Sequence, residues 1–528
     1  MDSSVIKNEK LVPISKNIIS MRKAAVIDLG SNSIKLTNYN IGVDNNYKSY
    51  HQESVHVKLA EGLEDGIIKE KYIDKTIETM KLFRNIVDFE QIDYVICIAT
   101  STVRDAKNNT ELLDKIYRET GFKFKILSEN QEALYSYVGA IRSLQIPSVI
   151  FFDMGGGSLE IVYATNYEIK KIISLPFGSL RLSQLFADKN GNFSSTDYYK
   201  MAEHVVQLLP SREGLKIAEN SILLVGVGGT LRSIAKYDQE LKNYPLKKIH
   251  NYSMSSESIT QIARRLMMSN VEQISNIESI GSGRSDTIRV GLCVITELMK
   301  KLELSDLLVS AHGLREGTLF ISMQYPNEFF NDTEISLQQI HDIIKISTHP
   351  NTWSEHVENF ARLLFSITLI SEKEEILLSK AISQLDILSS FRDVDTIIHA
   401  LMDDDSSLTH REQLIVALSL VYSKKKKKSE SLILKYQKIL QKNDKKVIRR
   451  ISSIIALCDI FLKTRANVTP SYEDSTLILK INPKNNTFPE VLLKQACEKL
   501  ENALDIHVQL NIYYHPSYYS PLNLISIM

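Results

Sequence analysis

The sequence predicts an α/β protein of two related halves facing one another across a phosphate-binding cleft, then an all-α segment and a small α/β C-terminal piece. Three observations carry this. Asp28-Leu-Gly-Ser-Asn-Ser33 and Asp153-Met-Gly-Gly-Gly-Ser158 repeat one pattern 125 positions apart, each after an apolar run. Each is followed by one charged residue, Lys35 or Glu160, inside an apolar stretch. All 20 glycines lie between 30 and 317, so the chain changes character beyond about 330.

Residues 1–20 mix Lys7, Glu9, Lys10 and Lys16 with short apolar pieces and lack a signal-peptide core. They are expected to be a disordered leader or an over-called start ahead of Met21. In the first half, 21–145, Ala24–Ile27 and Ile34–Tyr39 read as paired strands, Tyr94–Ala99 and Lys123–Leu127 as further strands, and Ile73–Val87 as a helix. Another helix begins near Glu129. The second half, 146–325, repeats the plan with strands near 148–152, 159–164, 169–175, 222–227 and 307–310, and helices over 196–209, 256–269 and 285–302. Mixed sheets covered by helices follow from this alternation. Apolar residues at helical spacing over 337–345, 353–370, 374–391, 394–402, 411–423, 430–443 and 446–463 predict a helical domain at 335–465. The last piece, 470–528, reads strand (476–481), helix (488–504), strand (506–512).

At 528 residues the chain needs two to four domains. Its 63 basic and 63 acidic residues cancel, which excludes a globally polybasic nucleic-acid binder. Four cysteines without C-x-x-C spacing point to a reduced, cytoplasmic protein with no disulfide framework and no cysteine zinc site. No apolar run approaches the roughly 20 residues that span a bilayer, so no membrane partner is expected.

Five constellations carry chemistry. In the Asp28 turn, Gly30 permits close approach, and Ser31, Asn32 and Ser33 offer donors to phosphoryl oxygens, while a plain polar hairpin turn uses the same residues. Its leading carboxylate can hold a hard cation beside the anion. In Ala99-Thr-Ser-Thr-Val-Arg104, Ser101 and Arg104 stand at a helix start and suit an anion; ordinary capping, with Arg104 turned to Asp105 or solvent, explains them equally. Ser128-Glu-Asn-Gln-Glu132 sits at another strand-to-helix junction, where Glu132 serves either as dipole compensation or as a general base toward water. Gly155, Gly156, Gly157 and Ser158 cost chain entropy that close backbone approach to a ligand would justify, and Glu160, inside an apolar strand, needs water, a cation or Arg as partner. Val225-Gly-Val-Gly228-Gly229-Thr230 reads as a third loop of the same type. The segments holding Arg284 and His312-Gly-Leu-Arg315 can add cations.

Together these motifs resemble the exopolyphosphatase/guanosine pentaphosphate phosphatase (Ppx/GppA) family. DLGSNSIKL, ATSTVRDAKN, SENQEA, FFDMGGGSLEIV, SLPFGSLRL, VGVGGT, YPLKKIHNY and SAHGLREG occur in the family's order, densely over 21–325. The resemblance implies two ribonuclease-H-like (actin-like) halves and a degenerate HD-type helical domain behind them. It implies Glu132 as general base, and Asp153 and Glu160, with Asp28 in support, around a magnesium ion or another divalent cation. Phosphate would be cradled by Gly30–Ser33, Gly155–Ser158 and Gly228–Thr230, with Lys35, Ser101, Arg104 and Arg284 as further phosphate contacts. The implied reaction removes terminal orthophosphate from inorganic polyphosphate, or alternatively the 5′ γ-phosphate of pppGpp, in a homodimer. An ATP-dependent phosphotransferase of the same superfold and a non-catalytic polyphosphate or nucleotide sensor are the remaining alternatives. The chain departs from the family at Glu129 (usually Gly), Gln131 (usually Glu) and Lys35 (usually Arg), and its Gly281–Asp286 segment is short. Lys35 keeps the charge but not the bidentate fork, which favours polyphosphate over a guanosine nucleotide.

His356 matches the first histidine of an HD-type domain, but Leu385-Asp386 replaces the His-Asp pair, so His399 and His410 are expected to be structural or exposed. Residues 424–450 carry twelve Lys/Arg against Glu430 and Asp444. Lys435, Lys438, Lys442 and Lys446 have the spacing of one helix face. That face is either merely solvated or a rail for a polyanion.

Overall fold

The computed structural model describes residues 22–42, 47–218, 222–331, 333–345, 360–361, 363, 371–385, 390, 393–403, 407–484 and 488–514. The chain divides into two compact units, Met1–Glu129 and Asn130–Met528.

In the first unit β1 (Arg22–Leu29), β2 (Ile34–Ile41) and β3 (Tyr47–Val55) form an antiparallel meander. A ribbon of β4 (Leu63–Glu64) and β5 (Ile67–Ile68) leads to α1 (Glu70–Phe89), β6 (Tyr94–Ala99), α2 (Ser101–Asp105), α3 (Asn109–Thr120) and β7 (Phe124–Ile126). The sheet order is β3-β2-β1-β6-β7, with β6 parallel to β1 and β7 parallel to β6. Counted along the sheet's own strands this is 3-2-1-4-5. β1 is buried from Ala24 to Leu29, and apolar there except for Asp28, because it is central and covered on both faces. β3 has no apolar alternation, because it is an edge strand with half its residues in water, and it escapes a hydrophobicity reading for that reason.

α4 (Glu129–Leu144) leads into the second unit. Then come β8 (Val149–Met154), β9 (Leu159–Thr165), β10 (Glu168–Leu175), α5 (Ser179–Phe186), α6 (Ser195–Leu208), β11 (Leu223–Val227), α7 (Gly229–Leu241), β12 (Tyr252–Ser255), α8 (Ser256–Met267), α9 (Val271–Ser275), α10 (Ile288–Lys301), β13 (Asp306–Val309), α11 (Leu314–Gln324) and α12 (Pro326–Phe330). The sheet order is β10-β9-β8-β11-β13-β12. β8, β11 and β13 are parallel neighbours, and β12 is an antiparallel edge. Without that edge the order is again 3-2-1-4-5, so the repeated motif marks a repeated topology. Phe152, Leu224, Ile234, Ile262, Leu292 and Val294 belong to the core of this sheet and its helices.

Helices at Leu337–Lys345 (α13), Glu372–Ser383, Val394–Met402, His410–Lys424, Lys426–Lys435 and Asp444–Thr464 follow, then β14 (Asn467–Glu473), β15 (Thr476–Asn482), helix Glu490–Leu504 and β16 (His507–Ile512). One expectation fails here. The 430–443 helix ends at Lys435 and the next begins at Asp444, so Lys435, Lys438, Lys442 and Lys446 do not share one helix face. A turn intervenes because Tyr436 packs into the core of this region and the chain folds back on it. Lys438 donates instead to the carbonyls of Lys242 and Asn243 (3.2 and 3.3 Å). His356 and Asp386 lie outside the described residues. His399 is exposed and His410 is buried.

No helix among the described residues is long and apolar enough to cross a membrane. The four cysteines are free and buried, and burial pushes the Cys293, Cys458 and Cys497 thiols up to about 12.

Candidate active site

In the first unit the Asp28 motif is the turn of the β1–β2 hairpin. Asp28 pairs with Lys35 across the two strands, and the Gly30 N–H closes on the Ser33 carbonyl at 3.3 Å. Asp28, Ser31 and Ser33 are buried, while Asn32 and Lys35 are half-buried. The Ser31 and Ser101 hydroxyls hydrogen-bond at 2.8 Å, so the turn and the α2 start form one cluster of small polar groups. Arg104 donates from Nη1 to the Leu127 carbonyl at 2.8 Å. It thereby ties α2 to the end of β7, the strand that precedes the SENQEA segment.

The second unit repeats the hairpin with a different charge. Asp153 pairs with Glu160 across β8 and β9, and the Gly155 N–H closes on the Ser158 carbonyl at 3.1 Å. Behind the loop, Gly178 and Ser179 open α5: Ser179 N–H donates to the Gly155 carbonyl at 3.0 Å and Leu180 N–H to that of Gly156, also at 3.0 Å. A Cβ at Gly178 would lie 2.5 Å from Gly156 C, so this backing requires glycine.

Residues directly opposite on an antiparallel pair share a face, with Cβ atoms about 5 Å apart. Two carboxylates at that spacing repel by about 3 kcal/mol at an effective dielectric constant near 20. Glu160 is only 1% exposed, so water does not relieve this. Cationic groups are needed, and the unit supplies them.

Arg232 on the first turn of α7, Arg284 in the loop before α10 and Arg315 on the first turn of α11 gather there. Burial, then the nearby Arg315, push the Arg232 guanidinium down to about 10, while Glu316 and Asp153 act in the opposite sense. Arg232 therefore stays charged at neutral pH, within the field of Glu316 and Asp153. Arg284 lies against the backbone of Gly229: a Cβ there would meet its Nη2 at 2.2 Å. The Gly228–Thr230 loop runs from β11 into α7, the strand ending in glycines before a helix that the sequence predicts, and so differs from the two hairpin turns. It is a strand-to-helix turn in which Gly228 adopts φ 119° and a Cβ would come within 2.8 Å of the Met154 carbonyl. Loops 155–158, 228–230 and 310–313 thus follow the carboxyl ends of three parallel neighbours, the usual ligand edge of such a sheet.

Glu132, 8% exposed, lies on α4. One turn further on, Ser136 donates from Oγ to Asp153 Oδ2 at 2.5 Å. Residues four apart share a helix face, so Glu132 is on the face of α4 that Ser136 turns to the Asp153–Glu160 pair. α4 is locked against α11 by two glycines. A Cβ on Gly139 would stand 2.0 Å from the Gly313 carbonyl oxygen, and one on Gly317 1.7 Å from that of Tyr135.

Among the described residues no group of three or more His, Cys, Asp and Glu side chains is placed to hold a metal by itself. The donors present, two hard carboxylates and no thiolate or imidazole, nevertheless fit Mg²⁺, which is typically held by one or two carboxylates with phosphate and water completing its shell. Sequence reasoning missed Ser136 and Arg232 and left Arg315 without a defined role. Counting three or four residues from Gly229 and Glu132 would have found the first two.

Two 3-2-1-4-5 sheets, each with a glycine turn at the end of its first strand, define a protein of the actin-like fold class. The Ppx/GppA phosphatase family model matches residues 43–326, more than half of the chain, and the chain belongs to that family. A bifunctional 3-dehydroquinate synthase/phosphatase of Fusobacterium nucleatum is 28% identical over 331 residues, 60% of this chain and 49% of that relative, so the match spans about half the relative's length. Exopolyphosphatase 2 of Mycobacterium tuberculosis is 25% identical over 326 residues, 57% of this chain and 98% of its own. The crystal structure of the Aquifex aeolicus Ppx/GppA family member superposes with a TM-score of 0.50 at 27% identity, covering 58% of this chain and 99% of that one. An exopolyphosphatase structure from Cytophaga hutchinsonii shares the fold, with a TM-score of 0.53 at 24% identity over 57% of this chain and 98% of that one.

Proposed function

We propose that this chain is an exopolyphosphatase that releases terminal orthophosphate from inorganic polyphosphate. The observation that carries the reading is the Asp153–Glu160 pair at the glycine hairpin, bonded through Ser136 to the helix that bears Glu132. Backbone N–H groups of 155–158 and 228–230 receive phosphoryl oxygens, and Arg232, Arg284 and Arg315 offset their charge. Within the first unit, the Gly30–Ser33 turn, with Lys35, Ser101 and Arg104, is read as a phosphate-binding cluster of its own. Asp153 and Glu160 would hold Mg²⁺, which when bound draws charge from the terminal phosphoryl group. Glu132 orients a water molecule and takes its proton as the water oxygen bonds to the terminal phosphorus. The bridging P–O bond breaks, leaving orthophosphate and a chain shorter by one unit.

The helical segment is read as an HD-type domain without its metal site, since both His410 nitrogens are bonded within the protein and His399 is exposed. Lys35, a point charge where family members carry the bidentate arginine, supports polyphosphate over pppGpp.

Phosphate release from long-chain polyphosphate and from pppGpp, measured side by side with Mg²⁺, tests the reading. Faster turnover of polyphosphate is expected, lost on chelation and restored by Mg²⁺. Release from pppGpp alone, or from neither, would remove the assignment.

A further inference from the structure

The loop that follows β13 is gripped from two directions. The Ala311 N–H donates to His250 Nδ1 at 3.3 Å, and the Ala311 carbonyl accepts from Arg232 Nη1 at 3.5 Å. His250 lies between α7 and β12, where the adjacent Asn251 N–H donates to the Val309 carbonyl at 2.8 Å. The His250 and His312 rings meet edge to face with centroids 4.7 Å apart.

The helical region grips the same stretch from behind. His410, the first residue of its helix, donates from Nε2 to the His250 carbonyl at 2.9 Å, because a carbonyl can only accept. Its Nδ1 is then the acceptor of the Tyr244 hydroxyl, also at 2.9 Å. Lys248 Nζ donates to the Met402 carbonyl at 2.9 Å and to Gln413 Oε1 at 3.1 Å. Asn251 Nδ2 donates to the carbonyls of Ser407 and Leu408 at 3.1 and 2.9 Å. Burial pushes the His410 imidazole down to about 4, so it keeps this neutral donor–acceptor arrangement at working pH.

We propose that His410 is a positioning residue for the phosphate site: through the His250 carbonyl it sets the Ala311 peptide, and with it the placement of Arg232 and Arg315. The helical region acts on the chemistry by this route. Ala311 is held by His250 at its N–H and by Arg232 at its carbonyl, so a shift of the 248–251 backbone reaches the guanidinium through a single residue. The inference rests on the phosphatase reading only for its kinetic readout.

The test compares His410→Leu, which keeps bulk and loses the donor, with His410→Gln, whose amide N–H has similar reach. In the Leu variant kcat for phosphate release should fall about tenfold with KM within about twofold, the pattern of a displaced group rather than a lost binding contact. Ala311–Gly313 amides should exchange with deuterium about tenfold faster, and Gln should restore both readouts. If the Leu chain does not fold, His410→Asn, too short to reach the His250 carbonyl, takes its place. Unchanged exchange at 311–313, or Gln behaving like Leu, would overturn the proposal. A wild-type chain inactive on polyphosphate would instead count against the phosphatase reading and leave the exchange comparison intact.

Discussion

Glu132→Gln should lower kcat for phosphate release about 1,000-fold, the middle of the range for a general base, or about 4 kcal/mol of barrier. The exchange is isosteric, and the Ser136–Asp153 hydrogen bond one turn away does not involve it. KM and Mg²⁺ dependence should therefore stay close to wild type, which separates loss of the base from loss of the site. Single-turnover phosphate release with excess enzyme reads this directly. A variant with near-wild-type turnover would show that another group, or water alone, accepts the proton.

Gly317→Ala should be strongly destabilising. In an ordinary helix interior the change gains about 0.5–1 kcal/mol. Here the new carbon would stand 1.7 Å from the Tyr135 carbonyl oxygen, and no rotamer change relieves a backbone atom. Separating α4 from α11 should cost about 3 kcal/mol, the upper end for overpacking, read as a lower midpoint in urea or heat. Gly139→Ala, with 2.0 Å to the Gly313 carbonyl oxygen, should act in the same direction. The double variant should fall short of the sum, because both changes open one crossing. A stabilised Gly317→Ala protein would mean that the two helices separate freely.

Much of this was legible in the sequence because the site is assembled at element ends. β1, β2, β6, β8, β9 and β11 all lie within a few residues of the apolar runs that announce them. Gly228 stands where a Cβ would come within 2.8 Å of the Met154 carbonyl oxygen, and Gly229 where one would meet the Arg284 guanidinium. Polar edges were harder. β3 and β14 offer no apolar alternation, whereas α3 is amphipathic and stops at Gly121 (φ 73°), a helix-ending signal that the sequence does carry. The lysines beyond 434 show the opposite failure: spacing alone gave them a common face, whereas Tyr436 packing broke the helix between them. Ser136 and Arg232 were missed for a third reason, although helical spacing from Glu132 and Gly229 points to them. Their roles depend on which helix lies over which strand end, and local periodicity does not contain that.

The pairing of Asp153 with both Glu160 and Val227 has a consequence for the order of folding. The first partner is seven positions away and the second seventy-four, a difference in loop-closure entropy of about 2 kcal/mol. The hairpin can form early on local contacts, whereas β11 and the loop at 228–230 must await a distant search. Pulse-labelled hydrogen exchange during refolding should accordingly protect β8–β9 amides before those of β11, and simultaneous protection would refute the ordering. On that order the two acids meet before the 228–230 amides arrive. If the proposed Mg²⁺ binds this pair, it would hold the two strands in register during that interval, and refolding should be faster when Mg²⁺ is present from the start.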